Sequence, residues 1–139
     1  MSERRFINGA NQTLMSRAQR TIESVTEAVI LHASGETDPD KLTQLRPAQQ
    51  AMVAKFGQMP PHVRIGLLGL TLGFSAYARG RSGRAFSRLP LARRLALVDE
   101  WRSSTVPVCP MFVQFYEKMG PFLYYSLLEE ERMPPIEVR

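Results

Sequence analysis

A chain of 139 residues, 44% hydrophobic and 22% charged, is sized for one globular domain with one core and is too apolar to be disordered throughout. Its 18 Lys and Arg outweigh 13 Asp and Glu, for a net charge of +5. A single cysteine, Cys109, and only two histidines, His32 and His62, exclude an internal disulfide framework and a Cys/His zinc site and suit a reducing cytoplasm.

The first residues, up to about Leu14, are polar and without period, and are expected to form an N-terminal arm (residues 1–14). Arg4-Arg5-Phe6-Ile7 resembles a twin-arginine export signal, but Asn8, Gly9, Ala10, Asn11 and Gln12 follow where the apolar region should stand, so export on its own signal is not expected. Ser16 and Gln19 have capping-box spacing and predict a helix start. Ala18, Ile22, Val25, Val29 and Ala33 follow as one buried stripe, and Gly35 stands where a C-terminal cap belongs. A polar turn over Glu36–Asp40 leads to Leu42, Leu45, Ala48, Met52 and Val53, helical either across Pro47 or from a fresh start with Pro47 in its first turn. Gly57 is expected to end that helix.

Pro60-Pro61 opens an apolar helix whose predicted inward face is Ile65, Leu68, Leu72 and Ala76. The charge-free run Ile65–Ala78 has 14 residues, a length no other such run exceeds, and is short of the roughly 20 needed to span a membrane. Gly66, Gly69 and Gly73 should each weaken the helix by up to about 1 kcal/mol relative to alanine. The close approach of another helix or of a partner's backbone would account for them. Arg79 to Arg84 then reads as a glycine-punctuated loop. A further helix begins near Pro90, with Leu91, Leu95, Val98 and Trp101 facing the core. After Pro107 and Pro110 a last helix runs to about Leu128, with a bend expected at Gly120-Pro121. Its apolar residues, Met111, Phe112, Phe115, Tyr116, Met119, Phe122 and Leu123, wrap most of the way round it. Such a helix is either central in its bundle or covered by another molecule.

No segment alternates with a period of two, so the fold class is all-α. A single-domain bundle of four to six helices is expected over residues 15–128, with an extended tail at 129–139.

Catalytic signatures are weak. Gly73-Phe74-Ser75-Ala76-Tyr77 lacks the last glycine and the preceding strand of a nucleophile elbow. Glu36, Asp38 and Asp40 alternate as calcium ligands do, without the loop glycine or the distal glutamate. His32 lies near a helix C-terminus, where an imidazolium suits the macrodipole. The strongest electrostatic feature is six arginines, Arg79, Arg81, Arg84, Arg88, Arg93 and Arg94, within 16 residues that contain no acid. Arginine pairs bidentately with carboxylates and phosphates, so Arg79, Arg81, Arg84 and Arg88 form a candidate anion-binding patch for an acidic protein surface or an anionic membrane. Nucleic acid is disfavoured, because neither a helix-turn-helix signature nor exposed stacking aromatics accompany the arginines.

The segment Leu14–Ile30, LMSRAQRTIESVTEAVI, resembles the "LTxAQRxTLxxLAEAII" opening of the gluconate 2-dehydrogenase subunit 3-like proteins, small subunits of membrane-associated flavoprotein dehydrogenases. Phe86, Leu89, the Arg93-Arg94 pair, Leu97 and Trp101, then Ser103-Ser104 and Tyr124-Tyr125-Ser126, are similar to that family's "FxxLxxxxRxxLLxxWxxS…YYS". A comparable helical segment precedes the flavin domain in some glucose–methanol–choline (GMC-type) oxidoreductases.

The resemblance implies a non-catalytic helical small subunit, without a cofactor of its own, that binds and stabilises a large FAD-carrying catalytic subunit. Without an export signal it would be cytoplasmic, reaching a membrane only through that partner. Arg93, Trp101, Phe112, Phe115, Tyr116, Met119, Tyr124 and Tyr125 are then the expected partner-binding residues, with Arg93 holding a carboxylate or a helix end. The alternative is a stand-alone helical module for an apolar or lipid-like ligand or an anionic membrane surface. A small enzyme is a third reading, against which stands the lack of a paired base and nucleophile.

Overall fold

The computed structural model describes the backbone of residues 2–132 and the side chains of residues 15–132. Five α-helices carry the fold: α1 (Ser2–Ser34), α2 (Leu45–Gln58), α3 (Pro61–Ser82), α4 (Leu91–Arg102) and α5 (Val108–Arg132). Short 3-10 turns at Pro39–Lys41 and Phe86–Arg88 complete the connections, and the described residues include no strand. The all-α single-domain bundle therefore stands as the sequence implies.

Several boundaries differ from the expectation. Helix α1 starts at Ser2, well before Ser16, because no proline interrupts the polar segment and a nucleated helix propagates readily through it. Helix α2 begins at Leu45 with Pro47 in its first turn, and passes Gly57 to end at Gln58. Helix α3 continues through Arg79 and Arg81, so the expected loop shrinks to the residues around Gly83, whose φ of 74° supplies the left-handed cap. Helix α5 runs unbroken past Pro121 to Arg132, so Glu129–Arg132 are helical; the rest of the expected extended tail lies outside the described residues.

Helices α1 and α5 form the central pair, and each packs against all the others. Their crossing depends on Gly120: a Cβ there would stand 2.7 Å from Cγ2 of Val29, closer than packed carbons approach. Helix α1 is buried over more than one stripe. Ala18, Ile22, Val25 and Val29 face the main core, Ala28, Ile30 and Leu31 are also buried, and the predicted Ala33 is exposed. The hydroxyl of Thr26, fully buried, donates to Ile22 O at 2.7 Å and so leaves no polar atom unmet.

A run of aromatic contacts fills the core. Phe86 meets Phe74 (centroids 5.0 Å apart), Phe74 meets Trp101 (4.9 Å) and Phe112 (5.3 Å), Phe112 meets Tyr116 (4.9 Å), and Phe56 meets Phe115 (5.8 Å). Each such pair contributes about 0.5–1.5 kcal/mol beyond its area burial. This run sets the rotation of α3: its buried residues are Leu68, Thr71, Phe74 and Ala78, while Ile65 and Ala76 of the predicted face are exposed. Burying a phenylalanine in place of an alanine removes more apolar area from water, so Phe74 decides the face. Gly66, Gly69 and Gly73 consequently point outward, with nothing within 4 Å of a Cβ at any of them. Among the described residues, no neighbouring helix explains them.

Polar contacts tie the helices together. Glu27 of α1 accepts from Arg94 Nη2 of α4 at 3.0 Å and from Gln49 Nε2 of α2 at 3.5 Å. Arg94 Nη1 also donates to Ser24 O at 3.2 Å, and Gln49 Nε2 to Glu23 O at 2.9 Å. Between α4 and α5, Arg102 holds Glu117 in a two-toothed pair at 3.0 and 3.0 Å and reaches Asp99 at 2.6 Å.

Candidate functional site

Three segments converge on a cleft of about 540 Å³. Helix α1 supplies Arg17, Arg20 and Thr21, helix α3 supplies Ser75 and Arg79 one turn apart, and the chain from Gly83 to Arg88 closes the third side. Phe86 lines the cleft at 1% exposure and is pinned by Phe74, so the backbone carrying Arg84, Ser87 and Arg88 is anchored to the core. Arg17, Arg20, Arg79, Arg84 and Arg88 are all exposed, and among the described residues no acid lines the cleft and none of the five makes an ion pair.

Like charges gathered in this way repel: two unit charges ~8 Å apart in water cost about 0.5 kcal/mol. A bound anion reverses that sign. The lining also offers the hydroxyls of Ser75 and Ser87, which can donate to an oxyanion. Among the described residues it offers no exposed aromatic face on which a base could stack.

Three of the four predicted patch residues, Arg79, Arg84 and Arg88, meet here. Arg81 does not: its Nη2 donates to Glu100 Oε1 at 2.6 Å, beside the Tyr77 hydroxyl, which donates to the same oxygen at 3.2 Å. That hydrogen bond raises the Arg81 pKa further, while burial first and Glu100 second raise that of Tyr77. Arg17 and Arg20 were not singled out from the sequence, because nothing short of the tertiary fold brings α1 to residues 83–88.

Among the described residues Arg93 holds no carboxylate, and the family spacing, five residues on from Leu89, falls on Arg94. Arg93 is exposed and unpaired among the described residues, and its neighbour Arg94, 9% exposed, makes the predicted kind of contact with Glu27 and Ser24 O. A helical step of one residue turns the side chain by about 100°, which decides which arginine faces α1.

The expected partner-binding set divides by burial. Phe112, Tyr116 and Tyr124 are 1%, 0% and 5% exposed and belong to the interior, so they are corrected from surface to core. Tyr116 is the most confined. The one hydroxyl hydrogen of Thr71 goes to Leu67 O at 2.8 Å, so at the 3.1 Å contact between Tyr116 Oη and Thr71 Oγ1 it is Tyr116 that donates. Burial pushes the Tyr116 phenol well above its ordinary range, and burial followed by the neighbouring Tyr125 and Glu131 also raises Tyr124. Trp101, Phe115 and Met119 are half-buried against the core.

Of that set, Tyr125 is properly exposed, at 49%, and Met111 at 65% and Phe122 at 63% join it, although neither was in the predicted set. Separations of eleven residues (Met111 to Phe122) and three (Phe122 to Tyr125) place all three along one outward line of α5, with Lys118 and Glu129 between and beyond them. Val108, 43% exposed, lies at the start of the same helix.

The catalytic candidates fall into ordinary roles. The Glu36 carboxylate accepts from the Thr37 and Asp38 amides at 3.0 and 3.2 Å, and Asp38 from the Asp40 amide at 3.0 Å, so these acids cap a turn. His32 is exposed in the last turn of α1, and Ser75 lies mid-helix at the cleft edge.

No family model matches this chain, and no curated protein or solved structure is significantly similar to it.

Proposed function

We propose that this chain is a non-catalytic helical small subunit that docks on and stabilises a larger FAD-dependent oxidoreductase of the GMC type. The single observation that carries the reading is the line of Met111, Phe122 and Tyr125 on α5, three large apolar side chains 65%, 63% and 49% exposed on one helix face. Single exposed apolar residues are ordinary on a soluble surface, whereas three aligned on one helix face offer an apolar strip, interrupted by Lys118, for a partner to cover. The half-buried Trp101, Phe115 and Met119 are the nearest residues of the expected interface that keep some surface. The resemblance of Phe86–Ser126 to the family spacing supports a flavoprotein as the partner. FAD and the reacting groups would belong to that subunit, and any membrane association would come through it.

The test is capture of the tagged full-length chain from its source. A stoichiometric larger companion with flavin absorbance is the expected result, and recovery of the chain as a stable free monomer overturns the reading.

A further inference from the structure

We propose that the cleft between α1, α3 and residues 83–88 is a binding site for a compact polyphosphate-type anion: inorganic diphosphate or triphosphate, or a small phosphorylated headgroup. This goes beyond the subunit reading and shares no residue with the α5 strip.

The chemistry follows from the lining. Among the described residues, five guanidiniums and no carboxylate surround about 540 Å³, a volume within the range of small-ligand sites and larger than one carboxylate would need. A single carboxylate satisfies one two-toothed arginine, whereas neighbouring phosphoryl groups present enough oxygens and charge to engage several. The arginines come from three separate segments, so an ion bridging Arg17 and Arg20 to Arg79 and to Arg84 or Arg88 would be held from three sides. A solvated charge run on one helix would not do this. Anchoring matters too. The Phe86–Phe74 contact and the left-handed turn at Gly83 fix the path of the loop, so its two arginines are partly oriented before any ligand arrives. Because Phe86 is buried, the described residues offer phosphate recognition without a stacking surface, which points away from nucleosides.

The experiment is calorimetric titration of the full-length chain with sodium diphosphate at low salt, repeated with Arg20→Gln, Arg84→Gln and Arg81→Gln. All three substitutions remove one positive charge from an exposed side chain, so a merely ionic response would weaken equally in each. One saturable site is expected, weakened roughly ten- to a hundredfold by Arg20→Gln and by Arg84→Gln and unchanged by Arg81→Gln, whose guanidinium is already held by Glu100.

A second arm uses phosphatidylcholine vesicles with and without phosphatidic acid. Vesicle binding that needs phosphatidic acid, falls with the two cleft variants and is displaced by diphosphate identifies a lipid headgroup as the source. Diphosphate binding without vesicle binding identifies a soluble phosphate. Absence of binding in both arms, or equal losses in all three variants, overturns the proposal.

Discussion

Gly120 is the residue on which the packing of the two central helices most depends. Because a Cβ would stand 2.7 Å from Val29 Cγ2, Gly120→Ala forces the helices apart or Val29 off its rotamer, at about 1–3 kcal/mol. Thermal denaturation should show that loss, and the double variant with Val29→Ala should recover part of it by opening the same space. Arg94 argues in the same way from charge. It is 9% exposed and Glu27 depends on it, so Arg94→Met should destabilise by about 2–4 kcal/mol, less than for a fully buried pair because Glu27 retains some solvent. An Arg93→Met variant should leave stability within about 0.5 kcal/mol, since that side chain is exposed.

At the scale of elements, part of the proline and glycine punctuation was readable in the sequence: Gly35 caps α1 with positive φ and Pro61 opens α3, whereas α2 passes Gly57 and α3 runs on to its cap at Gly83 through residues expected to form a loop. Rotation was not readable for α3, where leucines, glycines and alanines make several faces equally apolar. The choice fell to Phe74, whose aromatic neighbours come from α4, α5 and the 86–88 turn. Arg17 and Arg20 were illegible as site residues for a related reason, since only the fold brings them to Arg84 and Arg88. Helix α5 was half-readable. Its all-round apolar pattern left open a central helix or one covered by another molecule; it is central, and which aromatics stay outside depends on where α1 and α2 lie. The outward glycines of α3 have a consequence at this scale. With open space at Gly66, Gly69 and Gly73, replacement of each by alanine should stabilise the isolated chain by up to about 1 kcal/mol, read as a rise in melting temperature.

For the whole molecule, alkaline pH is the condition that should unfold it through a defined group. Tyr116 keeps its proton when folded, because burial raises its pKa above the unfolded value of about 10. The folded state then binds more protons than the unfolded one at high pH, so stability is intact below about pH 10 and falls as pH rises beyond it. Tyr116→Phe, while losing the hydrogen bond to Thr71, should flatten that alkaline fall in a series of denaturant titrations across pH.

Neither that pH response nor the packing of the core separates a self-sufficient bundle from a subunit built to be covered. The most direct test of the subunit claim is capture of the tagged chain from its source with and without Phe122→Glu, a substitution at a side chain 63% exposed. The expected result is a flavin-bearing companion on the unaltered chain and its loss from the variant, with helicity and melting temperature unchanged. A companion-free unaltered chain, or a companion retained equally by the variant, would contradict the account.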